Sequence, residues 1–599
     1  MPADPSVEYH ARLARWRDRL AAASALDARL AAVRLIVFVA AVALVLAYLQ
    51  WRTPWIAWLL LAPVVAFIAL AVRHDRVIRD RDRSASLVAF YERGLARIED
   101  RWAGTGSPGD RYRSDHHPYA NDLDLFGPGS LFELLSLART RTGEDTLAAW
   151  LTGAAPPEVV MERQAAVREL TAALDVREAL SLAVGRSGAS VDAGALAAWA
   201  EAPPRLSPEA FRYVALGLTL LTLASVVYVW RGGNDVAFFL ALAAQLAFGW
   251  PYSRKVEPIL HAADGPTRDL TALSQAVALL ERGRFSSGRL GLLQRQLRET
   301  GPQASTAIAR LRRILEMHDW QHNMVFAPVA ALLMWGIHLA WALESWRRTH
   351  GAHVRVWLRV IGEFEALASL SAYAFEHPAD PFPTFTGAQA GACFEGTGLG
   401  HPLVSAARMQ ANDISLTPGR QLLVVSGSNM SGKSTFLRTV GINAVLAQAG
   451  APVRAQSLRL SALTVGATLR IQDSLQEGRS RFFAEITRIR ELAGLTRGPA
   501  PLLFLLDELF HGTNSHDRLV GASGVLRSLI DRGAIGLVTT HDLSLAAIVE
   551  ALGARAANVH FEDSFDGHEM HFDYRVKPGP VTKSNALALM RAVGLDIDS

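Results

Sequence analysis

The sequence predicts an α plus α/β chain: apolar helical hairpins in the N-terminal half, then a C-terminal α/β domain on a central, mainly parallel sheet. Three observations carry this expectation. Paired apolar segments of near-bilayer length recur in the first half. A β-branched run, Leu422 to Ser426, passes through a glycine-rich turn into a helical pattern. Two further apolar runs, Pro501 to Glu508 and Ala534 to Val538, each lead into acidic or histidine side chains.

Residues 1–32 hold Arg12, Arg15, Arg17, Arg19 and Arg29. This mixed stretch predicts a cytoplasmic helix and no cleavable signal peptide. Val33 to Leu49 carries one charge, Arg34, and Trp55 to Val72 carries none. Each is near the roughly 20 residues that cross a bilayer. Trp51, Trp55 and Trp58 cluster where an interfacial belt would lie. Residues 33–72 are therefore read as a transmembrane hairpin, and 73–122 as a helical linker. Arg73, Arg76, Arg79, Arg81 and Arg83 follow the hairpin, so both flanks are expected on the cytoplasmic side. A second pair, Tyr213 to Trp230 and Val236 to Trp250 around RGGND, makes residues 213–252 a second membrane hairpin. Arg205 and Arg212 precede it; Arg254 and Lys255 follow. A buried helical hairpin is the alternative for the first pair; for the second, whose second member is short, it is a re-entrant or core hairpin. The localisation expected is a multi-pass inner (cytoplasmic) membrane protein with its C-terminal domain in the cytoplasm.

A chain of 599 residues implies several domains. Its 61 basic and 57 acidic residues give a net charge of +4, which excludes strong polyelectrolyte character and neither demands nor excludes nucleic acid. One cysteine, Cys393, rules out an intrachain disulfide.

The turn after Leu422 to Ser426 reads Gly427-Ser428-Asn429-Met430-Ser431-Gly432-Lys433-Ser434, fitting G-x-x-x-x-G-K-[ST], and Thr435 continues into a helix. Strand, glycine-rich turn and helix together make a phosphate cradle: backbone N–H groups turn inward at a helix N-terminus that favours anions. ATP and Mg²⁺ are the ligands expected. Lys433 would reach the β- and γ-phosphates, and Ser434 would ligate Mg²⁺. Asp507, at the end of PLLFLLDE, would hold Mg²⁺ through water, and Glu508 would polarise the attacking water. His541, in Thr539-Thr540-His541-Asp542, would sense the γ-phosphate. Asp507 lies 74 positions after Lys433, without the helical arm or the L-S-G-G-Q segment of transporter-type ATPases. One more apolar stretch, Met324 to Ala342, contains Pro328 and His338. An odd number of crossings would place the nucleotide loop outside, so this stretch is read as a buried helix of the cytoplasmic part.

Several segments together resemble the MutS family of mismatch-repair ATPases. They are the loop with Asn429 and Met430, Gly478-Arg479-Ser480-Arg481-Phe482-Phe483-Ala484-Glu485, and Asp507-Glu508 with Gly512-Thr513-Asn514 and Asp517. Gly400-His401-Pro402-Leu403, Asn412-Asp413-Ile414 and the tail from Lys577 through Ser584 to Gly594 fit the same family. Leu131 to Leu170 is similar to the start of its lever-and-connector region. The resemblance implies a helical lever over 123–212 and 253–383, and an ABC-type ATPase domain over 384–599. It also implies a homodimer in which Ser480 completes the partner's ATP site, and DNA as ligand. Ser428, Ser431, Arg481 and Arg518 depart from the family's pattern, and the last two bear on signalling between subunits. The family's mismatch-reading domain, with its Phe-x-Glu wedge, has no counterpart before the lever. Phe483-Ala484-Glu485 has that spelling but belongs to the signature helix. Phosphate contacts would then fall to lever arginines such as Arg310, Arg312 and Arg313. Two alternatives remain: a nucleotide-gated membrane scaffold with no DNA role, and a transporter-type ATPase.

Overall fold

The computed structural model describes residues 4–51, 55, 59, 61–185, 193–204, 206, 210–264, 267–301, 303–321, 326–387, 390–428, 431–469, 481–510, 515–541, 547–565 and 570–581. It divides into two compact units, Met1–Trp102 with Asp175–Arg186, and Ala103–Leu174 with Ser187–Ser599.

In the first unit, helices Pro5–Trp51 and Leu61–Ile98 lie antiparallel. Tyr9 packs edge-on against Tyr91 at 5.5 Å, and Asp27 reaches both His74 and Arg81. The buried seam is Tyr9, Leu13 and Trp16 against Leu87, Tyr91 and Leu95. A polar knot closes it: His74 Nε2 meets Asp27 at 2.6 Å, Arg34 meets His74 Nδ1 at 2.9 Å, and Arg81 donates to Asp27 at 2.7 Å. Beyond this knot Leu35, Ile36, Phe38, Val39, Leu46 and Leu49 are all exposed.

The second unit is built around helix Val354–Glu376, most of whose residues are buried. Helices Arg141–Thr152, Pro157–Ala172 and Gly288–Glu299 pack on it. Two glycines allow one crossing: a Cβ on Gly362 would lie 2.7 Å from the Thr142 carbonyl oxygen, and one on Gly143 2.5 Å from Glu365. Thr140 caps the helix that follows it, accepting from Gly143 N at 3.0 Å and donating to Glu365. Fully enclosed there, the Glu365 carboxyl is pushed up to about 7 by burial, against the hydrogen bonds it receives from Thr140 and Arg139.

The apolar pair of this unit forms helices Ala210–Trp230 and Val236–Asp264. The second runs past the expected end at Trp250, through Pro251 and Pro258, into the helical region. Its buried side chains include Ala241 and Gln245; those of its partner include Ala215, Thr219, Thr222 and Ser225. The exposed side chains include Leu216, Leu220, Leu223, Val227, Phe239 and Leu246. Polarity is thus inverted relative to a water-exposed helix pair. Among the described residues, Pro5–Trp51 and Phe211–Trp230 are long and apolar enough to cross a membrane, and Val236–Tyr252 is shorter. Trp55 to Val72 falls partly outside the described residues.

The stretch expected to be one buried helix, Met324 to Ala342, is instead two helices, Ala327–Leu332 and Trp335–His350. Met324 itself lies outside the described residues. Met334 separates the two helices in the left-handed region, at φ 49. Hydropathy averages over such a break and does not register it.

The C-terminal part holds two sheets. Strands β1 (Thr384–Phe385), β5 (Ser457–Leu460), β2 (Phe394–Leu399) and β3 (Asn412–Leu416) form the smaller, in the order β1-β5-β2-β3. The larger follows the order β10-β9-β4-β8-β7-β6. Its strands are β10 (Met570–Pro578), β9 (Ala556–Phe565), β4 (Leu422–Ser426), β8 (Ile535–Thr540), β7 (Leu502–Leu506) and β6 (Thr464–Thr468). All pairs are parallel except β10 with β9. β4, β7 and β8 are buried along their whole length, as expected for strands covered on both faces. Their C-terminal ends align, because Ser426 is in register with Thr540 and Leu506 with Val538. Ligands of open α/β sheets bind at such ends.

Candidate nucleotide site

The loop leaves β4 at Gly427, whose φ of 152 only glycine adopts easily. A Cβ there would stand 3.0 Å from the carbonyl oxygen of Phe561. Gly432, at φ 104, caps helix Lys433–Ala449. Between them Ser431 Oγ donates to Ser428 O at 2.8 Å, and Lys433 Nζ donates to the carbonyls of Gly427 and Ser428, each at 2.8 Å. Burial lowers the pKa of Lys433, while Glu508, Asp507 and Asp563 nearby oppose that shift. The buried Oγ of Ser428 has no hydrogen-bond partner among the described residues. Thr435, next in line on the helix, is exposed.

Across the sheet, Ser434 Oγ donates to Asp507 at 2.6 Å. The Thr539 hydroxyl donates to the other Asp507 oxygen and accepts from Glu508 N at 3.0 Å. Glu508 adopts a left-handed φ of 48, a strained turn for a side chain with a Cβ, and its carboxylate lies 3.3 Å from His541 Nδ1. Three segments far apart in sequence, holding residues 434, 507–508 and 539–541, therefore converge on one loop. The turn after Glu508 is fastened from behind, where Phe510 N donates to buried Glu485 on helix Arg481–Leu495. That contact gives the glutamate of the signature segment a local role. Asn429, Met430 and Ser480 lie outside the described residues, so their expected roles have no structural account.

Beside the loop lies a cavity of about 650 Å³, lined among others by His401, Met409, Thr435, Phe436, Phe572 and Tyr574. Tyr574 sits at φ 52 in a bulge of β10, between Phe572 and Val576, with its ring 3.0 Å from a Cβ built on Gly432. Asn412 on β3 holds the bulge: its Nδ2 donates to Tyr574 O at 3.0 Å, and its Oδ1 accepts from Val576 N at 2.8 Å. Burial, with Arg438 nearby, pushes His401 down to about 4, so it is a neutral ring at physiological pH. Sequence reading missed Tyr574, Phe572 and Met409 as site residues. Each is a single side chain from a distant hairpin or loop, and the only signal was aromatic alternation in HFDY.

The residues present suit a nucleotide with Mg²⁺. The glycines leave the loop backbone bare, Ser428 supplies an unmatched buried oxygen, and Ser434 with Asp507 makes a hard-oxygen pair. Among the described residues no three His, Cys, Asp or Glu side chains cluster to hold a metal unaided.

Residues 423–597 match the family model MutS domain V. This is the ATPase domain of MutS. The match begins within β4 and spans the loop, Asp507, Glu508 and His541. It covers under a third of the chain. His401, Asn412 and the helical region before them lie outside it.

The helical region is joined to this domain through Asp122. Its carboxylate accepts from Leu469 N at 2.7 Å and pairs with Arg488 of the signature helix at 3.5 Å. Its carbonyl accepts from Arg438 of the loop helix at 3.1 Å.

Proposed function

We propose that this chain is a membrane-anchored ATPase driven by a MutS-type engine, working as a homodimer, with nucleotide state moving the helical region and DNA as its ligand. The observation that carries the ATPase reading is the convergence of Lys433, Ser434, Asp507, Glu508 and His541 on one glycine loop. When bound, MgATP supplies a phosphoryl group whose developing charge the site must neutralise. Lys433, held against loop carbonyls, is the positive charge available to the β- and γ-phosphates. Ser434 and Asp507 would hold Mg²⁺. Glu508 is positioned to take a proton from the attacking water, with its turn fixed through Thr539. His541 sits beside that carboxylate, where it orients Glu508 and responds to the γ-phosphate. The cavity under Tyr574 is the place for the base.

The membrane reading rests on inverted polarity. In the pair Ala210–Trp230 and Val236–Asp264, Thr219, Thr222, Ser225 and Gln245 are buried while leucine, valine and phenylalanine face outward. Small and polar residues at helix contacts, with apolar residues outside, are the pattern of helices packed in lipid. The exposed apolar stretch of Pro5–Trp51 suits the same solvent. The chain would sit in the cytoplasmic membrane with the ATPase domain on the cytoplasmic side. Cysteines at Thr53 and Asn234 should then label from outside, and one at Ser345 should not.

The DNA reading comes from the family resemblance. Of the three lever arginines, Arg310 and Arg313 are exposed, whereas Arg312 faces Glu316 at 3.5 Å. Arginines of this kind neutralise phosphates and carry no base information, so we expect weak, strongly salt-dependent binding without preference for a mispair. The ion pair that occupies Arg312 favours a second reading, a nucleotide-gated membrane scaffold. Binding assays on duplex, branched and single-stranded DNA, with and without ATP, separate the two: no binding to any of these supports the scaffold. A tenfold preference for a G·T duplex over a matched one would mean that a mismatch reader exists.

A further inference from the structure

Helices Ala304–Trp320 and Trp335–His350 form an antiparallel pair. Trp335 Nε1 donates to Met317 O at 2.8 Å, and Trp346 Nε1 donates to Ala307 O at 2.7 Å. The chain reverses through the short helix Ala327–Leu332 and left-handed Met334. A break of this kind frees backbone carbonyls that must find other donors. Here the apolar hairpin supplies the partners: Gln245 Nε2 donates to Leu332 O at 3.2 Å, and Thr219 Oγ1, which also bonds Ala215 O at 2.9 Å, lies 3.4 Å from Leu333 O. Gln245 is 4% exposed and Thr219 7%, so both contacts are dry.

The position of these donors along the hairpin fixes the depth of the tip. Thr219 lies seven residues beyond Arg212, and Gln245 nine before Arg254. At 1.5 Å per residue that is about 10–14 Å from the basic flank, against a hydrocarbon core about 30 Å thick. Around the tip, Pro328, Val329 and Ala331 are exposed and apolar, as are Leu246 and Trp250 opposite. An apolar cleft of about 700 Å³ lies between these two groups.

We propose that residues 326–334 form a re-entrant tip buried in the bilayer, entering beside the second hairpin to about one-third to one-half of the core depth and returning to the same side. This rests on the reading that the hairpin Ala210–Trp230 and Val236–Asp264 spans the membrane. Lipid acyl chains cover Pro328, Val329 and Ala331 and fill the cleft. Irregular backbone at such depth persists only where protein satisfies it, which Gln245 does for Leu332 O, with the Thr219 hydroxyl beside Leu333 O. The return through Trp335–His350 leaves the number of crossings even, so the nucleotide site stays on the cytoplasmic side. The apolar stretch that hydropathy marks as a fifth span is thereby accounted for without a fifth crossing.

The test is depth-dependent fluorescence quenching of the full chain in phosphatidylcholine vesicles, in a Cys393→Ser background. Single cysteines at Leu220, Val329 and Thr349, all exposed, carry the fluorophore. Ala331 serves as a second tip position should the Val329 label impair folding. Labels at Leu220 and at the tip should both be quenched by an acyl-chain quencher, at least twofold more than at Thr349, and be shielded from aqueous iodide. Chain quenching at Leu220 with iodide quenching at both tip positions overturns the re-entrant tip and leaves the spanning hairpin intact. Iodide quenching at Leu220 itself overturns the spanning hairpin and the tip with it.

Discussion

Replacing Asn412 with alanine tests whether the β10 bulge belongs to the nucleotide site. The side chain makes two hydrogen bonds to that bulge, to Tyr574 O at 3.0 Å and from Val576 N at 2.8 Å. Each such bond contributes about 0.5–1.5 kcal/mol net, and the half-exposed setting puts both toward the lower end. Their loss should cost about 1–2 kcal/mol in holding Tyr574, at its unfavourable φ of 52, over Gly432. If the bulge forms the wall that the base meets, that cost appears as ATP affinity weakened by about 5- to 30-fold. Asn412→Asp keeps the acceptor for Val576 N and loses the donor, so it should fall between alanine and wild type. The assay is titration with a fluorescent ATP analogue, alongside a thermal melt to confirm folding. Wild-type affinity in a folded Asn412→Ala protein would refute the assignment of the cavity to the base.

Other outcomes follow from the helical region and the dimer. Because burial raises Glu365 from an ordinary value near 4.5 to about 7, the folded state keeps a proton that the unfolded state releases. Stability should therefore fall by about 3 kcal/mol as pH rises from about 4.5 to 7; hydrogen exchange of helix Arg141–Thr152 measures this, and Glu365→Gln should flatten the dependence. Gly362→Ala gains about 1 kcal/mol of helix propensity but presses a Cβ to 2.7 Å from the Thr142 carbonyl. Overpacking against backbone costs about 1–3 kcal/mol, so the melting temperature should drop, and a rise would contradict the close helix crossing. Mixing Lys433→Ala with Ser480→Arg chains should restore about one working site per heterodimer; folded, dimeric mutants that fail to complement would count against a composite site.

The central strands were legible because burial on both faces leaves continuous apolar runs. Leu422 to Ser426 coincides with β4, and Pro501 to Glu508 brackets β7. Residues at the ends of such strands share one sheet edge, which is why the sequence alone groups Ser434, Asp507 and His541. It does not group Tyr574 and Asn412, since 162 positions separate two residues whose contact depends on a bulge. Asp122 was equally silent: an isolated carboxylate whose partners lie more than 300 residues downstream. In the apolar regions, composition marked the helices but not their limits. Helix Val236–Asp264 continues through two prolines, and the carbonyls beside the break at Met334 meet Gln245 and Thr219, partners no hydropathy window identifies.

The central claim, that this loop binds and hydrolyses ATP with Glu508 as the base, is tested most directly by ATP retention and turnover in Glu508→Gln, with Lys433→Ala as the binding control. Glu508→Gln should keep ATP at near wild-type affinity while turnover falls by about 10²–10⁴-fold, and Lys433→Ala should lose tight binding. Hydrolysis by Glu508→Gln at the wild-type rate would contradict the account.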